Sequence, residues 1–413
     1  EGGVLMQKEE LRSEDKKSSY ELFFDIPVGP QHPALKEPAF FKFKVEGERV
    51  IGVDADVSYN HRGIEKALEQ RNYIQNIYLI ERICGICNVA HTLCYAQAVE
   101  QIHGKEIPPR ANYIRLMIEE LARIHSHTLW LGVAAHEIGF DTLFMYVWRD
   151  REIVMDLIEM LTGNRVTTAI NTIGGVRRDV SDEAKYKVKK GMDILEERLK
   201  YYKKVAINDP TINARCSGVG ILKPRDAIKL CAVGPTLRAS GIKNDVRADD
   251  PYALHDEVPF NVITYDTMDV LARVLVRIDE TLESVNMVRY CVDHMPSGEV
   301  KIKLPLSPPI GESVSRVEAP RGELIHYARS NGTNKPERYK VRTPTFENIP
   351  SVCEMLTSKN GYEVNIADIP ITLASIDPCF SCTARMEFRD VSKSKTWIWS
   401  LEELKAYCKK KGI

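Results

Sequence analysis

Two Cys-x-x-Cys pairs, Cys84/Cys87 and Cys379/Cys382, carry the strongest chemical signal in this sequence. One such pair alone reads equally as a redox dithiol, as half of a zinc site, or as two core thiols. Two pairs have the shape of a four-thiolate metal site. Structural zinc is the most frequent occupant of that shape, but zinc staples are usually local and serve small domains with little core. Here 292 positions separate the pairs (379 minus 87), in a chain of 413 residues that can bury a large core without a staple. An iron–sulfur cluster also takes four thiolates, although its ligands tend to lie closer in sequence. A site joining both ends of a chain suits a catalytic metal held in the interior. Soft thiolates accept nickel, iron and zinc alike, so ligand type leaves the metal open.

The elements that must position these thiols read as mainly α with a small N-terminal β region, an α+β chain. Charged residues make up 28% and hydrophobic residues 44%, the balance of a globular protein. The net charge of −1 supplies no basic field for nucleic acid. No uninterrupted apolar run is long enough to span a bilayer. The nearest, Leu129 to Trp148, is broken by His136, Glu137 and Asp141 and reads as one buried helix. The start lacks an apolar signal core, so export is not expected, and Glu1 to Leu5 before Met6 read as upstream sequence.

Residues 1–20 read as a polar arm, 21–62 as the β region, 63–385 as a helical catalytic body and 386–413 as a tail. Alternation in Phe40 to Val45 and Val50 to Val53 predicts strands joined at Glu46-Gly47-Glu48. After Pro108-Pro109, Ile114, Met117, Ile118, Leu121, Ile124 and Thr128 recur at helical spacing. Asp182 to Lys203 predicts an exposed helix, and Tyr265 to His294 an apolar-periodic one. Glycine and proline then cluster from Pro305 to Pro350, which reads as loop-rich. The single cysteines Cys94, Cys216, Cys231, Cys291, Cys353 and Cys408 read as buried thiols of a reducing compartment.

The flanks of the pairs narrow the choice. Glu81-Arg82-Ile83-Cys84-Gly85-Ile86-Cys87 with His91, and Asp377-Pro378-Cys379-Phe380-Ser381-Cys382-Thr383-Ala384-Arg385, resemble the two metal signatures of [NiFe] hydrogenase large subunits. Glu318 to Gly322, Gly174 to Asp179 and Gly234-Pro235-Thr236 are similar to further segments of that family. Gly29 to Pro33 and His61-Arg62-Gly63 resemble segments shared with the 49-kDa quinone-side subunit of respiratory complex I. The resemblance covers roughly Tyr20 to Arg385. It is greatest to the membrane-bound, energy-converting (group 4) branch, whose relatives include membrane-bound sulfane sulfur reductases.

That resemblance implies a nickel–iron centre whose iron carries carbonyl and cyanide. Cys84 and Cys379 would be terminal nickel ligands, and Cys87 and Cys382 would bridge to iron. Arg321 would donate to the iron's diatomic ligands, while Arg82 and His91 would orient the thiolates. Glu37 matches the relay carboxylate, against the plain reading of a solvated turn beside Lys36. His32 and its loop would face the membrane arm and couple redox change to ion pumping. His125 and His127, two apart on a predicted helix, do not make a metal pair and read as core or supporting residues.

The implied assembly includes a small partner subunit carrying a [4Fe–4S] cluster and ion-pumping membrane subunits, with this chain on the cytoplasmic side. The implied activity is proton reduction to hydrogen. Two departures keep an alternative open: position 384 is Ala where relatives usually carry an acidic residue, and 28 residues follow Arg385 (413 minus 385). Many hydrogenase large subunits lose such a tail when nickel is inserted. Either this subunit matures uncut, with Leu401 to Lys411 as a docking helix, or it never receives the centre. In the second case sulfur, or a quinone, would be reduced at the partner's cluster.

Overall fold

The structure, a computed structural model, describes residues 23–359, 361–383, 388–390, 395–397, 406–407 and 409–410. The N-terminal arm, Ala384, Arg385, Cys408 and most of the predicted tail helix therefore lie outside the described residues.

Six helices concern the site: Tyr73–Glu81 (α1), Asn88–His103 (α2), Pro109–Glu137 (α3), Asp141–Thr162 (α4), Asp182–Asn208 (α5) and Val270–His294 (α6). Their ends follow from local residues. Asn72 and Gln75 cap α1 reciprocally, and Pro109 opens α3 where a missing N–H costs nothing. Asp269 accepts from the Ala272 amide, so α6 starts at Val270 rather than at the predicted Tyr265. The stripe Ile114, Met117, Ile118, Leu121 and Ile124 of α3 shares one core with Val285, Val288 and Cys291 of α6 and with Val188, Met192, Leu195 and Leu199 of α5, and α6 packs against both other helices. Leu129 to Trp148, expected to be one helix, is two. Helix α3 stops at Glu137 and α4 begins at Asp141, with Gly139 at φ 83° making the turn between the polar residues. No described helix is long and apolar enough to cross a membrane.

Strands Phe23–Val28 (β1), Phe40–Glu46 (β2) and Arg49–Asp56 (β3) form an antiparallel sheet in that order. Its inward Phe41, Phe43, Val45 and Val50 share one core with Leu373, Ile376 and Phe380. The Phe41 ring lies 5.9 Å from that of Phe380, which sits between Cys379 and Cys382. The N-terminal sheet is thus packed on the segment that bears the second cysteine pair.

Pro305 to Pro350, expected to be loop-rich, holds a second antiparallel sheet of Gly311–Ala319 (β4), Gly322–Ser330 (β5) and Pro336–Arg342 (β6). Its alternation is hidden because the inward positions include Ser315, His326 and Ser330 beside Val317 and Leu324. Pro320-Arg321 turns β4 into β5. A Cβ on Gly322 (φ 127°) would meet the Gly234 nitrogen at 2.8 Å, and one on Gly234 (φ 67°) would meet the Arg321 carbonyl oxygen at 2.3 Å. These two glycines let separate motifs pack backbone on backbone. Of the six single cysteines, Cys94, Cys216 and Cys291 are buried and Cys353 partly so; Cys231 is exposed, contrary to expectation.

Candidate metal centre

Cys84 and Cys87 lie on the connection between α1 and α2, with Cys87 at the N-cap position of α2, where the helix dipole favours a thiolate. Cys379 and Cys382 flank a single turn of 3-10 helix entered through Asp377 at φ 54°. The fold brings these distant segments into sulfur contact. The Cys379 Sγ lies 3.4 Å from that of Cys84 and 2.8 Å from that of Cys382. The donor atoms of Cys87, His91 and Cys382 all fall within 4.8 Å of one another. All four cysteines are free thiols, three of them buried and Cys382 partly so.

Hydrogen bonds from Cys379, Cys382 and Cys84 push the Cys87 thiol well below its usual range. Those with Cys379, Cys84 and Cys87, together with burial, push Cys382 well above it. Four crowded sulfurs cannot all ionise unless a cation shares their charge. The donors are soft, and the buried Asp377 Oδ2 beside them has no hydrogen-bond partner. This set fits a thiolate-bound transition metal.

Three side chains hold the cysteine loops, and one of them, Arg62, spans both. Arg62 donates to the carbonyls of Arg82 (2.9 Å), Ile83 (2.7 Å) and Ser381 (3.1 Å), so one guanidinium ties the backbone before Cys84 to that before Cys382. Glu37 accepts from the Ser381 amide (2.9 Å) and hydroxyl (2.6 Å). Thr343 donates to the Cys382 carbonyl at 3.0 Å. Lys36 pairs with Glu137 at 2.5 Å and leaves Glu37 to the Ser381 contacts. The Pro30–Pro38 loop lines a groove onto which both His32 and Glu37 open; His32 is exposed.

Arg321 binds the carbonyl of Asp377 through Nε (2.6 Å) and its carboxylate at 2.7 Å, and its charge acts on Cys84, Cys379 and Cys87. His91 Nε2 lies 3.8 Å from the Cys382 sulfur. Arg82, expected to orient the thiolates, is turned away. Its exposed guanidinium donates to the Tyr78 carbonyl and lies 3.6 Å from Glu81, because the α1 surface offers it both partners. His125 and His127 diverge as their spacing predicts: His125 accepts from Arg151, and His127 meets Glu280 at 3.1 Å. Burial, with Arg151 and Arg321, lowers His125 to about 3; burial lowers His127 to about 4.

Sequence reasoning gave no individual role to Arg62, His326 or Tyr339, nor to a cluster of buried charges behind the pocket. Arg62 lay within a recognised segment, and His326 lies five positions after Arg321. In the cluster, Arg238 pairs with Glu280 (2.6 Å) and Glu318 (2.8 Å), and Arg247 with Asp245 (2.7 Å) and Glu120 (3.2 Å). Arg123 joins at 3.1 Å from Glu120. Nothing in the spacing of these charges separates them from a solvated helix face.

Residues 62–132 match the family described as nickel-dependent hydrogenase, and residues 137–307 and 305–385 match that described as respiratory-chain NADH dehydrogenase, 49 Kd subunit. The chain belongs to the large-subunit family that joins the two. It is 41% identical over 383 residues to the membrane-bound hydrogenase subunit alpha of Pyrococcus furiosus, covering 89% of this chain and 88% of that one. It is also 41% identical over 368 residues to the carbon monoxide-induced hydrogenase of Rhodospirillum rubrum, covering 88% and 99%. A chain of the membrane-bound sulfane sulfur reductase, an archaeal respiratory membrane complex, superposes with a TM-score of 0.83 at 32% identity, over 89% of this chain and 100% of that chain. This large subunit is an oxidoreductase component of a complex I-like, membrane-bound respiratory assembly, and its helix-rich fold is the one the resemblance implied.

Proposed function

We propose that this large subunit is the catalytic chain of a membrane-bound [NiFe] hydrogenase that reduces protons to hydrogen. The observation carrying the proposal is the meeting of four free thiols, 84 with 87 and 379 with 382, in one buried pocket of soft donors. Cys84 and Cys379 would hold nickel, and Cys87 and Cys382 would be shared with iron. A nickel–iron centre held by these residues would supply the two-electron chemistry of hydrogen. Arg321 stands beside the sulfurs as a fixed positive donor, clamped by Asp377. Glu37 bridges from the His32 groove to the loop of the second pair and is the group that hands protons inward. His32 sits on the face assigned to the membrane arm. Electrons arrive from a small partner with a [4Fe–4S] cluster, and ion-pumping membrane subunits hold the chain at the cytoplasmic side of the membrane.

A second reading has its own support. The sulfane sulfur reductase chain is covered along its entire length by this fold. On that reading the four cysteines are retained scaffold without the nickel–iron centre, and sulfur is reduced at the partner's cluster. Nickel analysis of the anaerobically purified complex separates the two. About one nickel per chain, as a four-thiolate site predicts, supports the hydrogenase. A nickel-free complex that still reduces sulfur overturns it.

A further inference from the structure

Behind the Cys382 sulfur runs a buried line of three side chains from separate elements: His91 on α2, His326 on β5 and Tyr339 on β6. His91 Nε2 lies 3.8 Å from the sulfur, and His91 Nδ1 lies 3.2 Å from His326 Nε2. His326 Nδ1 lies 2.7 Å from the Tyr339 hydroxyl. The three residues are 1%, 0% and 0% exposed, so water cannot substitute for any partner.

From this geometry we infer that His326 and Tyr339 are positioning residues that lock His91 in the tautomer presenting Nε2–H to the sulfur of Cys382. The lock follows from counting protons. The bond to His326 is the one hydrogen bond of the Tyr339 hydroxyl among the described residues. Were the phenol to accept there, its own proton would be stranded in the interior, at the cost of an unmade buried bond. It therefore donates, and His326 Nδ1 accepts. A neutral imidazole that accepts on one nitrogen carries its proton on the other. Burial pushes His326 well below its ordinary range and keeps the Tyr339 phenol protonated. His326 Nε2–H then donates to His91 Nδ1, which leaves the His91 proton on Nε2, facing the sulfur. One hydroxyl thus sets the polarity of the line, just as outer hydrogen bonds orient metal-ligating groups in general.

The inference rests on reading the four-cysteine pocket as the working site, but the hydrogen bonds themselves need no metal. The test is solid-state NMR of the intact complex with 15N in the imidazole rings of this chain, assigned by the signals lost in His326→Gln and His91→Gln. Wild type is expected to show both rings protonated on Nε2 with a bare Nδ1. In Tyr339→Phe the single His91 tautomer is expected to be lost and replaced by two sets of ring signals. A wild-type His91 protonated on Nδ1 overturns the inference without any variant having to fold. So does a Tyr339→Phe spectrum in which the His91 signals do not shift. Nickel analysis of the same sample keeps the two readings apart. A nickel-free complex with His91 protonated on Nε2 removes the hydrogenase reading and leaves the tautomer lock standing.

Discussion

This large subunit buries two polar clusters side by side, and they are built on opposite plans. In the cluster formed by α3, α6, the end of β4 and the short helices Gly234–Arg238 and Val246–Asp249, opposite charges meet inside the chain: Arg238 faces Glu280 and Glu318, and Glu120 lies between Arg123 and Arg247. Burial alone would raise Glu280, yet Arg238 and its neighbours bring it down to about 2, so it stays a charged partner. In the cysteine pocket the donors are of one kind. The cation beside them, Arg321, is already committed to Asp377. A cluster that answers its own charge holds a fold together. A cluster of like donors, latched in place from three sides, is arranged for something added later.

The largest effect is expected at the sulfurs. Replacing Cys382 with Ser substitutes a hard donor in a soft set and is expected to abolish hydrogen evolution and nickel retention while the complex stays assembled. Metal analysis with a hydrogen electrode checks both; retained nickel would count against the ligand assignment. The matching change in the charge cluster is Arg238→Met. It strands Glu280 and Glu318 without their partner and is expected to destabilise the fold by roughly 3–5 kcal/mol. Thermal denaturation should show that loss. An unchanged midpoint would mean the cluster is wetter or more adaptable than its burial indicates.

The two clusters also differ in how far the residues announced them. Cysteines at close spacing are rare enough to be noticed, and the apolar stripe of α3 was legible because its periodicity is strict. Arg123, Glu120 and Arg115 on the same helix were not legible as buried, because charged residues at helical spacing usually face water. The second sheet was missed for a related reason: its inward positions mix Val317 and Leu324 with Ser315, His326 and Ser330, while Val314, Ile325 and Tyr327 take the less buried alternates, so alternation carried little hydrophobic signal. That residues 84 and 379 would meet followed from reading the two pairs as one four-thiolate site, which the resemblance supported; no local rule brings such distant segments together. The latch by Arg62 depends on carbonyls, which have no sequence signature.

The charge cluster also predicts a pH response. Burial holds His127 near 4, below the ordinary imidazole value of about 6.5. Between those values the unfolded chain binds the proton and the folded chain does not, so the His127 contribution to stability rises as pH is raised from about 4 to about 6.5. His125, held near 3, adds a slope of the same sign, and Glu318, raised to about 7, one of opposite sign, so the His127 share is read as the difference between wild type and His127→Gln across that window. A difference without slope would mean that Glu280, 3.1 Å away, keeps the imidazole charged in the fold.

The smallest effects sharpen the comparison at two arginines. Arg62→Ala removes the donor shared by Arg82, Ile83 and Ser381 and is expected to weaken metal retention about 10- to 100-fold, the usual cost of losing an outer support. Arg82→Ala should do almost nothing. Its carbonyl, which Arg62 uses, survives the substitution, and its exposed guanidinium loses only the Tyr78 carbonyl and a loose approach to Glu81. Stability should change by no more than about 0.5 kcal/mol, as for ordinary surface positions, and nickel content should be unaltered. Denaturation and metal analysis of the two variants in parallel decide the matter. If Arg82→Ala lost nickel while Arg62→Ala kept it, the support would have to come from outside the chain, through the surface groove that Arg82 lines with Arg71, Gln75, Tyr78 and Leu79.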